Sequence, residues 1–156
     1  MGVTITVLGT GSPIPDPNRA GSATLVEAGG ARLLVDAGRG VLMRLAAAGI
    51  VPPMLDAVLL THLHSDHITD LNDVITTHWV MSPVPTELHV FGPRRTREVV
   101  DATLAALAPD VEYRLAHHED RTLSPQVNVT GVEPDDVFAV GATTVSAFCR
   151  TSPRPQ

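Results

Sequence analysis

The stretch that most constrains this chain is a short apolar run ending in a cluster of metal-binding residue types. Asp56-Ala57-Val58-Leu59-Leu60 leads straight into Thr61-His62-Leu63-His64-Ser65-Asp66-His67. The run follows a Pro52-Pro53 break, is too short for an ordinary helix, and reads as a buried strand. His62, His64, Asp66 and His67 then offer imidazole and carboxylate groups, which suit zinc and also manganese or iron. His62 and His64 are two residues apart, so in an extended segment they project to one side. Asp66 and His67 follow where the chain turns toward a helix, and that bend aims them at a second position nearby. Two adjacent ions there would acidify a shared water near neutral pH. A lone histidine would read as a core or surface residue; three with an aspartate at this spacing read as ligands.

The remaining pattern is a layered α/β chain. Residues 3–8 are rich in β-branched types and read as a strand. Strands over 23–27 and 32–36 follow, with Gly29-Gly30 between them as a hairpin signal. Residues 40–48 read as a short helix stopped by Gly49. A helix is predicted over roughly 70–80, and a strand over 88–91. Gly92-Pro93 then opens a helix to about Leu107, with Pro at its first position and Val99, Val100, Leu104 and Leu107 as its buried stripe. Strands are expected at 127–132, 137–140 and 143–148. Leading strands followed by alternating helices and strands imply a mixed sheet in one domain over 1–148. Residues 149–156 are polar, Pro-rich and aperiodic, and read as an irregular tail.

Composition excludes some functions. The 156 residues suffice for one domain with a real core. No apolar run approaches about 18 residues, so no membrane span is expected. No basic segment precedes the first strand, which does not read as a signal peptide, and a cytoplasmic location follows by default. Cys149 is the single cysteine, so an intrachain disulfide is excluded. The net charge of −6 is the wrong sign for holding nucleic acid with the whole surface. Arg94, Arg95 and Arg97 nevertheless cluster at one helix start, and every basic residue is Arg rather than Lys.

His62-Leu63-His64-Ser65-Asp66-His67 resembles the HxHxDH signature of the metallo-β-lactamase superfamily. Leu8-Gly9-Thr10-Gly11-Ser12-Pro13, Asn18-Arg19-Ala20-Gly21-Ser22, Leu34-Val35-Asp36-Ala37-Gly38, Asp56 to Thr61 and Val90-Phe91-Gly92-Pro93 are similar to the ribonuclease Z branch with its arylsulfatase and phosphodiesterase relatives. The resemblance runs over roughly residues 3–148. It implies the αββα metallo-β-lactamase sandwich, present as the N-terminal half and part of the second half. It implies two zinc ions, one on His62 and His64, the other on Asp66 and His67. It makes Asp66 the general base on the attacking water, and gives Asp36 a supporting place beside the ligands. Family members continue further and supply a third His for the first ion, a bridging Asp and a last His. Here Cys149-Arg150-Thr151-Ser152-Pro153 occupies the slot of the third His, and no His follows His118. The resemblance therefore implies an incomplete ligand set.

Other candidates have plainer readings. His117-His118 read as a polar loop after a strand, His78 as a helix-packing or surface residue, and His89 as the solvent face of a strand. Asp70 and Asp73 share one helix face, either as acceptors for ligand N–H groups or as solvated surface. Cys149 falls near the missing His but stands alone in a Pro-rich segment. Gly9 and Gly11 belong to no phosphate-loop pattern. The expected function is hydrolysis of phosphodiester bonds by a metal-activated hydroxide, with transfer RNA 3′ processing as the specific form. The alternatives are an arylsulfatase or small-molecule phosphodiesterase and, in another class, a truncated remnant without activity. The incomplete fold is expected to expose an apolar sheet face that favours self-association into a homodimer.

Overall fold

The computed structural model of the chain describes residues 2–118 and 122–149. Apart from Cys149, the segment read as a tail lies outside the described residues.

Six strands pair in chain order into one sheet. The β-branched start forms β1 (Val3–Gly9), which runs antiparallel to β2 (Ala23–Ala28) and through it to β3 (Ala31–Val35). The turn between β2 and β3 places Gly29 and Gly30 at φ 58° and 88°, the left-handed region that glycine enters without steric cost. The sheet then continues in parallel through β4 (Ala57–Leu59), β5 (Glu87–Gly92) and β6 (Gln126–Gly131).

Parallel neighbours require crossovers. These are α1 (Val41–Ala47), then the single turn α2 (Ser65–Ile68) with α3 (Leu71–Met81), and finally α4 (Thr96–His117). Right-handed crossovers that always advance in one direction put their helices on one face of a sheet. The main core lies there. Leu25, Leu34, Val58, Leu88 and Val90 of the strands pack with Val41, Leu45, Leu71, Val74, Ile75 and Val100 of the helices. The opposite face meets a separate hairpin, β7 (Val137–Val140) and β8 (Thr143–Ser146). Phe138 stacks there on Phe91 at 4.5 Å between ring centres, and Val140 joins Ala31, Leu33 and Ala57 in a smaller cluster.

Two expectations need correction. The last long helix starts at Thr96, three residues after the anticipated Pro93, and runs to His117, ten beyond Leu107. Arg95 takes a left-handed φ of 78°, and the Thr96 hydroxyl donates to the Pro93 carbonyl at 2.7 Å, so Pro93 to Arg95 form a turn ahead of the helix. Pro109 removes one helical N–H, yet the helix continues because Val111 is buried in the next turn. His117 consequently ends a helix, not a loop after a strand, and its Nδ1 lies 2.7 Å from the Tyr113 carbonyl.

Candidate metal centre

The histidine cluster sits where β4 ends, at the C-terminal rim of the parallel strands, a common place for sites in α/β sheets. The backbone there is tied on both sides. The Asp36 N–H donates to the Leu59 carbonyl at 2.8 Å, Leu60 N–H to Phe91 O at 2.8 Å, and Ala37 N–H to His67 O at 2.7 Å. The β3 end, the β4 end and α2 are thereby locked into one corner.

Three imidazoles meet in that corner. The His62 ring centre is 3.9 Å from that of His67 and 4.7 Å from that of His64. Asp66 Oδ2 is 3.6 Å from His67 Nε2. The four residues of the HxHxDH stretch are thus neighbours in space as well as in sequence.

Beneath them lies Asp36, only 4% exposed and held at a left-handed φ of 62°. Its Oδ2 is 2.7 Å from His67 Nδ1. An ionised carboxylate only accepts, so the proton is on Nδ1 and the lone pair of His67 is on Nε2. Asp36 Oδ1 accepts the Thr61 N–H at 2.8 Å, and both carboxylate oxygens lie within 3.0 Å of the Thr61 hydroxyl. That hydroxyl has one hydrogen, given to Asp36. Toward His62 Nδ1, 3.0 Å away, it can only accept. His62 therefore also carries its proton on Nδ1 and presents Nε2 as a lone pair. One buried carboxylate fixes two tautomers, one directly and one through Thr61.

Thr61 escaped the reading of the sequence. Its signal was its place between the strand and the first histidine. For His62, burial and neighbouring charges favour the neutral form. Burial first, then His67 and His64, lower its pKa from the ordinary 6.5, against the opposing pull of Asp36 and Asp66.

The other candidates fall elsewhere. Asp70 and Asp73 do not accept from the histidines. Asp70 Oδ2 takes the Gly40 N–H at 2.5 Å, joining the α1 and α3 starts, and Asp73 Oδ1 faces Thr77. His78 is buried in α3, and burial lowers its pKa. His89 is exposed on β5, and Cys149 is exposed. Among the described residues, no three His, Cys, Asp or Glu side chains are arranged around a single ion position. No described helix is long and apolar enough to cross a membrane.

A mixed sheet with helices on one face, and a His-rich corner at its C-terminal rim, make an α/β fold of the kind that carries its sites at the strand ends. The family model described as metallo-beta-lactamase superfamily matches residues 16–147, and the chain belongs to that superfamily. Ribonuclease Z from Mycolicibacterium paratuberculosis is 57% identical over 129 residues, covering 81% of this chain and 46% of the relative. Ribonuclease Z from Mycobacterium bovis is 58% identical over 127 residues, covering 80% and 45%. The chain spans about half the length of the curated relatives it matches. Among solved structures, the metallo-beta-lactamase fold protein YhfI from Bacillus subtilis superposes with a TM-score of 0.68 at 27% identity, covering 91% of this chain and 50% of that one. The short form of human tRNase Z gives a TM-score of 0.61 at 26% identity, covering 80% and 42%. The fold is the metallo-β-lactamase fold, partial relative to these longer proteins.

Proposed function

We propose that this chain carries the metal-binding half of a zinc-dependent hydrolase of phosphodiester bonds, of ribonuclease Z type, with precursor transfer RNA as substrate. The observation that carries the reading is the 57% identity to ribonuclease Z over 129 residues. A match that long in a 156-residue chain includes residues 36–67 wherever it starts.

The spacing of one donor pair supports a metal. Two atoms each about 2.1 Å from one ion at a tetrahedral angle stand about 3.4 Å apart, and His67 Nε2 and Asp66 Oδ2 are 3.6 Å apart. In this reading Asp66 and His67 hold one zinc and His62 and His64 the other, with manganese or iron as substitutes. What zinc supplies when bound is polarisation of the phosphoryl oxygen and acidification of the attacking water. The chain's own residues do the rest. Asp36 and Thr61 keep the Nε2 lone pairs of His67 and His62 turned to the site. A carboxylate oxygen of Asp66 receives the proton of the attacking water.

Where each ion has only the two ligands that the described residues offer it, zinc affinity is expected to be lower than in a site with three protein ligands, and turnover slow. The test is zinc-dependent release of p-nitrophenol from bis(p-nitrophenyl) phosphate by the purified chain, with p-nitrophenyl sulfate and a precursor transfer RNA in parallel. Slow turnover of the diester and the RNA, absent in Asp66→Asn, is expected. Turnover of the sulfate ester alone would transfer the assignment to an arylsulfatase. Diester turnover equal in the wild-type chain and Asp66→Asn would overturn the hydrolytic role of the cluster.

A further inference from the structure

Beside Asp66 lies a cavity of about 60 Å³ lined by Ser12, Ile14, Asp16, Arg19, Arg39 and Asp66 among others. Three features set it apart from ordinary surface. First, it joins two arginines to a residue of the HxHxDH stretch. Second, neither arginine side chain is paired among the described residues. Arg32, Arg95 and Arg114 each pair with a carboxylate, whereas the exposed Arg19 and Arg39 side chains, like those of Arg44 and Arg94, make no hydrogen bond or ion pair among the described residues. Of the two carboxylates on the cavity, Asp16 Oδ1 accepts the Asn18 N–H at 2.9 Å and Asp66 Oδ2 faces His67.

Third, the backbone carrying both arginines is fixed by contacts that only glycine allows. A Cβ on Gly11 would stand 2.6 Å from the Ala20 carbonyl oxygen, and one on Gly21 only 2.5 Å from the Arg39 nitrogen. A Cβ on Gly38 would run into Gly21 and into the Asp66 carbonyl oxygen. Gly21 N–H also donates to the Arg39 carbonyl at 2.7 Å. The loop bearing Arg19, the turn bearing Arg39 and the turn bearing Asp66 are thus packed backbone against backbone.

We infer that this cavity is an anion subsite in which Arg19 and Arg39 hold a second phosphate of the substrate, next to the one that is cut. Planar guanidinium forks match phosphate oxygens, and preorganised cations near a reaction centre position the reacting group. The assignment rests on the phosphodiesterase reading for its place in a reaction. Its phosphate chemistry stands apart from that reading and is measurable without metal or turnover.

The probe is inorganic phosphate, titrated into the metal-free Asp66→Asn chain and followed by backbone amide NMR. That background removes a carboxylate from the cavity lining and a proposed zinc ligand, so bound phosphate reports the arginines. Saturable shifts centred on residues 19–21 and 38–40 are expected, weakened roughly fivefold or more by adding Arg39→Gln or Arg19→Gln. Arg39→Lys should restore part of the affinity, and Arg44→Gln, an exposed arginine on α1, should change nothing. Absence of saturable binding by the folded protein, or equal losses in Arg39→Gln and Arg44→Gln, would overturn the subsite. A 5′-phosphorylated dinucleotide and its unphosphorylated counterpart then separate the two sources of phosphate. Equal binding of both assigns the cavity to the internucleotide phosphate, as proposed, and binding of the phosphorylated form alone overturns that in favour of a terminal phosphate. Phosphate binding to the Asp66→Asn chain, with no diester turnover by the zinc-loaded wild-type chain, would fail the hydrolase reading and leave the subsite standing.

Discussion

The two faces of the six-stranded sheet are built from similar residues and end in different states. On the helix side, Leu25, Leu34, Val58 and Val90 are almost fully buried beneath α1, α3 and α4. On the other side, Leu33 and Ala57 lie under the β7–β8 hairpin, while Val3, Ile5 and Val7 of β1 are 65%, 64% and 62% exposed. The register pairs Ile5 with Val26 and Val3 with Ala28, so the exposed β1 residues and the hairpin cluster share one face. An apolar cleft of about 530 Å³, lined by Val35, Leu59, Phe91, Phe138, Val145 and Phe148, opens between hairpin and sheet and reaches Thr61. Burial, not residue type, separates the faces. The helix side carries the stability, and the hairpin side carries unpartnered apolar surface.

The largest effect that tests this contrast is Leu34→Ala. It empties a fully buried position and is expected to cost about 2–5 kcal/mol in urea unfolding. A loss below that range would mean that the helix side is not the main core. Phe138→Ala is expected to act more weakly and locally. It removes one partner of the Phe91 stack, worth about 0.5–1.5 kcal/mol beyond the area buried. Amide exchange should accelerate in β7 and β8 and stay slow in β2 to β5. A global loss as large as that of Leu34→Ala would merge the two faces into one cooperative unit.

The helix side also hides a titratable group. Burial lowers the pKa of His78 below its ordinary 6.5. The unfolded chain therefore takes up a proton that the folded chain resists, and stability falls as pH drops below 6.5. His78→Leu should flatten that acid limb in thermal melts at pH values on either side of 6.5. An unchanged slope would remove His78 from the account. The smallest change in stability is expected for Ile5→Thr, within about 0.5 kcal/mol, together with less self-association in sedimentation velocity. If the substitution destabilises the chain as a core change does, the β1 face is not open in solution.

The elements most legible in the sequence were those whose signal is local. The β-branched run of β1, the Gly29-Gly30 turn and the Gly49 stop depend on neighbours a few residues away, and the HxHxDH stretch brings its own spacing. What escaped notice depends on packing across the chain. The last long helix was expected to end near Leu107, yet it runs past Pro109 to His117, with Val111 buried. Asp70 shared a face with Asp73 on paper, yet its carboxylate serves the Gly40 amide across thirty residues of sequence. Thr61 looked like a spacer, because the carboxylate that gives it a role lies twenty-five residues earlier. Gly21 and Gly38 lie in two of the motifs that carry the family resemblance, and the reason for glycine there appears only where their backbones meet.

The strand order carries a consequence for how the chain is made. Each strand of the large sheet bonds to the one before it in sequence, so a chain emerging N-terminus first finds every partner already present. Contacts between near neighbours in sequence also close quickly. Asp36, Thr61 and the three histidines all lie within residues 36–67, and the bonds that orient His62 and His67 need only β3, β4 and the first turn after them. None of those bonds needs α4 or the hairpin, so the histidine corner is expected to order early in folding.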